Sequence, residues 1–123
     1  MKLEVLKQRY HGVILEDDGA YMSKEANAFA RHIKAYLTGV AYENGFKLAK
    51  FDVGHYYVSG FFEKDGKYVY FSRDIERYNY PVDIQRDNNI LIRTAESLTD
   101  YRGGSNNYTN FKSIANMALR LLS

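Results

Sequence analysis

Residues 54 to 72 read GHYYVSGFFEKDGKYVYFS, and this stretch predicts a β-hairpin. The pair Asp65-Gly66 stands between two runs that alternate aromatic and small residues, and Asp-Gly in that setting is the strongest short-range hairpin signal in a sequence. With these two residues in the turn, the register of the strands follows. The predicted cross-strand pairs are Lys64 with Lys67, Glu63 with Tyr68, Phe62 with Val69, Phe61 with Tyr70 and Gly60 with Phe71.

The predicted register places the side chains of the hairpin on two faces, because successive residues of a strand point to opposite sides. One face is apolar and is expected to face the core, with the ring of Phe71 over the bare backbone of Gly60. It comprises Tyr56, Val58, Gly60, Phe62, Val69 and Phe71. The other face carries rings with polar tips, which suit a half-wet surface and make it the best candidate for recognition. It comprises Tyr57, Ser59, Phe61, Tyr68, Tyr70 and Ser72.

Two segments have the three-four spacing of apolar residues that is typical of amphipathic helices. The first runs from Lys24 to Glu43, with Ser23 as a candidate N-cap and Asn44-Gly45 as a stop signal. Gly39 lies inside it, which makes a close backbone contact at that position a reasonable expectation. The second is the C-terminal stripe of apolar residues that starts at Phe111, with Asn107 or Thr109 as the predicted cap.

The remaining patterns complete an α+β fold in a single domain, residues 1–123. Residues 46–53 and 90–95 have strand composition and flank the hairpin strands, predicted at 56–63 and 67–73. The prediction is a mostly antiparallel sheet of about four strands with a central β-hairpin, packed against two amphipathic helices. If both helices cover the apolar face, the rings of the other face stay available to a partner. If the C-terminal helix crosses to that other face, the rings form a second core layer.

Composition narrows the class of protein. The 123 residues suit one sizeable core, and the absence of cysteine excludes disulfides and thiolate chemistry, which fits a reducing cytoplasm. The N-terminal MKLEVLKQRYHG lacks the apolar run of a secretory signal, and no segment approaches the ~20 apolar residues that cross a bilayer. We therefore expect a cytoplasmic protein without a membrane partner. The formal net charge of +2 is too small to imply a nucleic-acid partner by itself.

A glycine-rich loop is a second candidate binding element. Arg93, Arg102 and the pair Gly103-Gly104 precede the predicted C-terminal helix, where free backbone N–H groups and two guanidinium groups could hold a phosphate or carboxylate. The alternative is that the glycines only make a tight turn. The loop lacks the Lys-Ser/Thr ending of a nucleotide P-loop and the G-x-G-x-x-G pattern, so nucleotide hydrolysis and dinucleotide binding are not expected.

Catalytic and metal-binding patterns are incomplete. His55 has Asp52 nearby, and Asp74 and Glu76 at the end of the facing strand, but the sequence offers no nucleophile and no pair of histidines at metal spacing. A hydrogen-bonded structural histidine is the simpler reading. We therefore expect no catalytic residues, no metal and no cofactor, and an enzyme that acts through His55 or the Arg-Gly-Gly loop is the third hypothesis.

Basic residues accompany the rings. Lys24, Arg31 and Lys34 fall on roughly one side of the first predicted helix, and with Lys47 and Lys50 of the next strand they suggest a basic patch beside the sheet. Cations that track a backbone and rings that stack bases are the two ingredients of a single-strand nucleic-acid platform. The alternative is that a surface helix carries these charges for solubility alone.

Two segments, KFDVGHYYVSGFFEKDGKYVYFS (50–72) and NNILIRTAESLTDYRGGSNNYTNF (88–111), resemble a family of small proteins of undefined function encoded on conjugative transposons and phages of Firmicutes. The resemblance implies a mobile-element origin and no established chemistry. Small proteins of such elements frequently obstruct host defence, and anti-CRISPR inhibitors of RNA-guided nucleases are among them. By this association, the resemblance implies an inhibitor of a host defence nuclease.

The functional prediction is thus a mobile-element accessory protein that acts by binding rather than by catalysis, with a host or element-encoded protein as partner. Tyrosine, phenylalanine and arginine dominate the energetics of protein interfaces, which selects the candidate contact residues. These are Tyr57, Phe61, Tyr68, Tyr70, Arg93, Arg102, Gly103 and Gly104. The alternative is a nucleic-acid-binding accessory protein for element transfer or replication, which would use the same rings with Lys47, Lys50 and Arg93.

Overall fold

The computed structural model describes residues 1–15, 24–54, 56–76, 80–84, 88–100 and 103–123. Within these residues the chain forms an antiparallel sheet of five strands and three helices, which confirms the α+β prediction. In chain order the elements are α1 (Leu3–Tyr10), α2 (Lys24–Glu43), β1 (Lys47–Val53), β2 (Tyr57–Lys64), β3 (Lys67–Asp74), β4 (Ile90–Ala95), β5 (Asn107–Thr109) and α3 (Ile114–Leu122). The strands follow one another across the sheet in sequence order.

The hairpin between β2 and β3 has the predicted register, from Lys64 opposite Lys67 to Gly60 opposite Phe71. Its turn residues Asp65 and Gly66 have φ values of 52° and 79°, as a two-residue turn that matches the right-handed twist of the strands requires. The carboxylate of Glu63 accepts a hydrogen bond from the Gly66 N–H at 3.0 Å and closes the turn from the side.

All three helices lie on the apolar face of the sheet, called here the inner face and defined by Val58, Phe62, Val69 and Phe71. The buried apolar residues of α1, α2 and α3 belong to the same cluster as these four side chains. The C-terminal helix therefore does not cross the sheet, and the alternative in which it covers the other face is wrong. That other face, defined by Tyr57, Ser59, Phe61, Tyr68, Tyr70 and Ser72, is the outer face.

The structure corrects three local predictions. Asn107 and Thr109 do not cap a helix: they pair with β4 as the short strand β5. Helix α3 begins only at Ile114, after the Asn110 side chain accepts a hydrogen bond from the Ser113 N–H at 2.9 Å and turns the chain. Tyr56, expected on the inner face, lies exposed just before β2 begins. The predicted cap Ser23 lies outside the described residues.

Two glycines have opposite surroundings. A Cβ added at Gly60 would overlap the backbone carbonyl oxygen of Lys50 and would lie 2.8 Å from Cζ of Phe71, so the predicted cover of Gly60 by the Phe71 ring is confirmed. A Cβ added at Gly39 would meet no atom of the described residues within 4 Å. The close contact expected at Gly39 is therefore wrong, and this glycine only weakens its helix.

A buried arginine holds the chain after β3 against the helices. The guanidinium of Arg73 lies on the inner face and makes a bidentate ion pair with Glu76, whose shorter contact is 2.8 Å. It also lies 5.5 Å from the ring centroid of Phe29 and 5.1 Å from that of Phe111. Since both rings belong to the core, Arg73 connects the end of the sheet to α2 and to the segment before α3.

We expect Gly60→Ala and Gly39→Ala to change stability in opposite directions. Gly60→Ala should lower the free energy of unfolding by about 3 kcal/mol, because the methyl group meets fixed backbone and a packed ring. Gly39→Ala should raise it by roughly 0.5 to 1 kcal/mol, because alanine loses less backbone entropy in a helix. Urea denaturation followed by circular dichroism measures both. A neutral Gly60→Ala would contradict the close approach of β1 and Phe71.

Candidate binding site on the outer face

The register of the sheet places cations and rings side by side across four strands. Lys50 of β1 is opposite Phe61 of β2, Phe61 is opposite Tyr70 of β3, and Tyr70 is opposite Arg93 of β4. The ring centroids of Phe61 and Tyr70 are 5.3 Å apart, and Cζ of Arg93 lies 5.3 Å from the centroid of Tyr70. We call Lys50, Phe61, Tyr70 and Arg93 the aromatic row. The Phe61 and Tyr70 rings are tilted by 58°, and such ring–ring and cation–ring contacts stabilise a surface beyond its burial and fix the orientation of the rings.

A row of shorter side chains runs beside the aromatic row. Asp52 is opposite Ser59, Ser59 is opposite Ser72, and beyond them lie Leu91 and Tyr108. Because the serines are small, the outer face is lower here than at the neighbouring rings. The result is a trough that continues over the buried Phe61 ring and has Tyr70 on one side.

Tyr57 forms the other side of this trough. An added Cβ at Gly54 would overlap the Tyr57 ring, so the glycine lets that ring lie against the backbone. The Gly54 N–H donates to the Tyr57 carbonyl at 2.8 Å and holds the two residues together. Tyr57 as a whole residue is 44% exposed, and its cross-strand neighbour Asp74 is on the same face.

The segment after β4 folds back over the aromatic row. Lys50 Nζ donates to the carbonyl oxygen of Leu98 at 3.5 Å, which ties residues 96–100 to the opposite edge of the sheet. The chain then returns to the end of β4: added Cβ atoms at Gly103 and Gly104 would overlap the carbonyl oxygen and the hydroxyl of Thr94. The two glycines therefore allow a close approach of two backbone segments.

These parts enclose a cleft of about 400 Å³, within the size range of small-molecule and anchor-residue pockets. Phe61 is only 5% exposed and forms the floor, whereas Tyr57 and Tyr70 stand at the sides. Polar groups from three strands and the loop after β4 reach the same space. The lining residues are Lys50, Asp52, Tyr57, Ser59, Phe61, Tyr70, Leu98 and Thr99.

The structure brings some predicted contact residues together and separates others. Tyr57, Phe61 and Tyr70 share the cleft, while Arg93 ends the aromatic row and donates to the Asn106 side chain at 2.9 Å. Tyr68 lies half-buried one row further along β3. Gly103 and Gly104 are at the base of the loop, and Arg102 lies outside the described residues.

One premise of the anion-binding hypothesis is wrong. Gly103 and Gly104 lead into the strand β5 and not into a helix, so no helix N-terminus follows them directly. The alternative reading, in which the glycines serve the backbone geometry, fits their packing against Thr94.

Three lining residues, Asp52, Leu98 and Thr99, are not among the predicted contacts, whereas Lys50 is predicted beside the rings in the nucleic-acid alternative. Lys47 and Lys50 are three residues apart and share the outer face only because a bulge lies between Leu48 and Lys50, and the strand pattern carries no sign of it. Asp52 follows Lys50 onto this face by the two-residue period of the strand. Leu98 and Thr99 reach the cleft through a loop whose path depends on Lys50 and Thr94. A polar loop of this kind has no period from which its position could be predicted.

The basic residues do not form one patch. Lys24, Arg31 and Lys34 are exposed on α2, which packs on the inner face, whereas Lys47 and Lys50 extend from the outer face of β1. The sheet therefore separates the two groups, and the patch expected beside the sheet is wrong.

Two of the carboxylates that the sequence places near His55 pair with cations in the structure. A carboxylate oxygen of Asp52 lies 3.8 Å from Lys50 Nζ, and the carboxylate of Glu76 pairs with the Arg73 guanidinium. His55 lies outside the described residues. Among the described ranges, no group of three or more His, Cys, Asp or Glu side chains is placed to hold a metal ion. The helices of these ranges are too short or too polar to span a bilayer.

Comparisons with protein-family models, with curated proteins and with solved structures found no match to the chain. The resemblance of residues 50–72 and 88–111 to a family of mobile-element proteins therefore stays a prediction.

Replacement by alanine should destabilise the protein more at the floor ring Phe61 than at the wall ring Tyr57. Phe61→Ala should lower the free energy of unfolding by about 3 kcal/mol, because a buried ring leaves a cavity over β1 and β3. Tyr57→Ala should lower it by about 1 kcal/mol or less, because nearly half of this side chain is already in water. Chemical denaturation of both variants in parallel tests the difference. Equal losses would mean that Phe61 is not the packed floor of the cleft.

Proposed function

We propose that this chain is a binding protein that docks onto a protein partner through the outer-face cleft and does not itself catalyse a reaction. The observation that carries the proposal is the cleft of about 400 Å³, formed by Tyr57, Phe61 and Tyr70 on a sheet whose opposite face holds the whole helix layer. Interface hot spots are aromatic or arginine side chains in well-packed pockets, and this cleft offers such an environment to an incoming side chain.

The rigidity of the site supports a binding role. The floor ring Phe61 is fixed by the Tyr70 ring and by the backbone of two neighbouring strands, and Tyr57 is fixed against Gly54. A surface whose side chains are already ordered loses little conformational entropy when a partner docks. An inhibitor requires such a surface and no reacting groups.

For the partner, we propose a host defence nuclease, most specifically an RNA-guided nuclease. The resemblance to proteins of mobile elements supports this choice, since such proteins frequently obstruct host defence. An inhibitor of this kind would act by occupying a surface that the nuclease needs for its substrate or for a conformational step.

A cleavage assay with a guide-loaded RNA-guided nuclease and its target DNA tests the proposal. An excess of the wild-type protein should slow cleavage at least tenfold. Tyr57→Ala should weaken inhibition roughly 30-fold, which corresponds to about 2 kcal/mol for one hot-spot ring. The matched control is Tyr42→Ala, since Tyr42 is an 85% exposed tyrosine of α2 on the opposite side of the molecule. Inhibition by folded Tyr57→Ala at the wild-type level would contradict docking through the cleft.

The aromatic row supports one alternative, a protein that binds single-stranded nucleic acid. Lys50 and Arg93 flank two adjacent aromatic rings, and platforms that track a phosphate backbone and stack bases combine the same groups. If the affinity for a fluorescent oligonucleotide falls steeply between about 50 and 200 mM salt, the result would favour this alternative, because contacts to phosphates weaken as salt rises. No binding at the lower salt concentration would dismiss it.

A further inference from the structure

The cleft already contains a cation of the chain itself. Lys50 Nζ lies 3.8 Å from a carboxylate oxygen of Asp52 and 3.5 Å from the carbonyl oxygen of Leu98. Both contacts are long, and the side chains of Lys50 and Asp52 are 44% and 56% exposed. Exposed ion pairs of this kind contribute little stability, so another cation can take the place of Lys50 at low cost.

The surroundings of this ammonium group suit cations in general. Tyr57, Phe61 and Tyr70 line the same space, and the faces of aromatic rings attract positive charge. The outer face itself contains an example, since the guanidinium of Arg93 lies 5.3 Å from the Tyr70 ring centroid. Oxygen acceptors are present as well, from the hydroxyl groups of Ser59 and Thr99.

The charges around the trough also favour a cation. Asp52 is opposite Ser59, and Asp74 is opposite Tyr57, so carboxylates stand on both sides of the Tyr57 wall. Among the described residues that line the cleft, Lys50 supplies the positive charge that balances these carboxylates. If Lys50 swings out into solvent, the cleft keeps rings and carboxylate and becomes a site of net negative charge. A phosphate or carboxylate group would be repelled there.

We propose that the cleft receives an arginine side chain of the protein partner, which displaces Lys50 from Asp52 and Leu98. This inference rests on the proposed function and names the chemistry of the group that docks. A guanidinium fits better than a second ammonium, because it is planar, weakly hydrated, able to stack on the rings and able to pair with a carboxylate through two N–H groups. Lys50 then acts as an internal competitor that lowers the affinity for the incoming side chain.

Titrations with N-acetyl-arginine amide, followed by NMR, test the inference without the partner. The probe should shift the signals of Tyr57 and Leu98 and bind with a dissociation constant on the order of 1 mM, as one anchoring side chain can provide. N-acetyl-citrulline amide has nearly the same shape without the charge, and it should bind at least tenfold more weakly. Equal binding of the two probes, or no shifts with the arginine probe, would overturn the inference.

Charge variants give the sharper result. Asp52→Asn should weaken binding of the arginine probe about tenfold, whereas Lys50→Met should strengthen it several-fold, because the methionine keeps the apolar stem and removes the competing charge. The matched control is Lys47→Met, on the same strand and face but paired with Glu63 at 3.5 Å, which should leave the affinity unchanged. Weaker probe binding by Lys50→Met would overturn the inference.

The two proposals fail in different ways. If the arginine probe does not bind but Tyr57→Ala still weakens inhibition of the nuclease as expected, the partner docks without an arginine and the inference alone is wrong. If the probe binds as expected but Tyr57→Ala inhibits like the wild type, the cleft accepts a guanidinium and the proposed function is wrong.

Discussion

The positive φ angles at Asp65 and Gly66 are the constraint on which the other features depend. They close the hairpin with Lys64 opposite Lys67, and a slip of one residue would exchange the two faces of β2 or β3. Phe62 would then leave the core, and Phe61 would enter it. The separation of an inner face for the helices from an outer face with a cleft is therefore a consequence of a two-residue turn.

The cleft depends on a second constraint, the close approach of backbones where side chains are missing. The Lys50 carbonyl and the Phe71 ring lie close against Gly60. In the same way, the Tyr57 ring lies against Gly54 and the Thr94 carbonyl lies against Gly103. Each glycine allows a neighbouring segment to come close, and the three contacts together position β1, the Tyr57 ring and the loop that covers the cleft. Together they form a cleft with a packed floor below a partly open loop. Neither the sheet nor the loop forms this cleft by itself.

Differences in the environment of the cations distinguish their roles. Arg73 is buried between core rings and paired with Glu76, so its charge serves the fold. Arg93 is half-buried and engaged with Tyr70 and Asn106, and it keeps the aromatic row in place. Lys50 alone among these three is held by long contacts to exposed groups, and it stands where a ligand would bind. The same charge is structural, positioning or exchangeable according to its burial and its partners.

The sequence by itself determined the hairpin, its register, its two faces and the long helix α2, because each depends on local turn chemistry or on a strict apolar period. It did not determine where α3 begins, since the pairing of Asn107–Thr109 with β4 competes with a helix cap and the sheet edge decides between them. The cleft was decided by tertiary structure alone. Its lining joins β1, β2, β3 and the loop 96–100, and the contacts that join them, a bulge in β1 and the glycine approaches, leave no periodic trace in the chain.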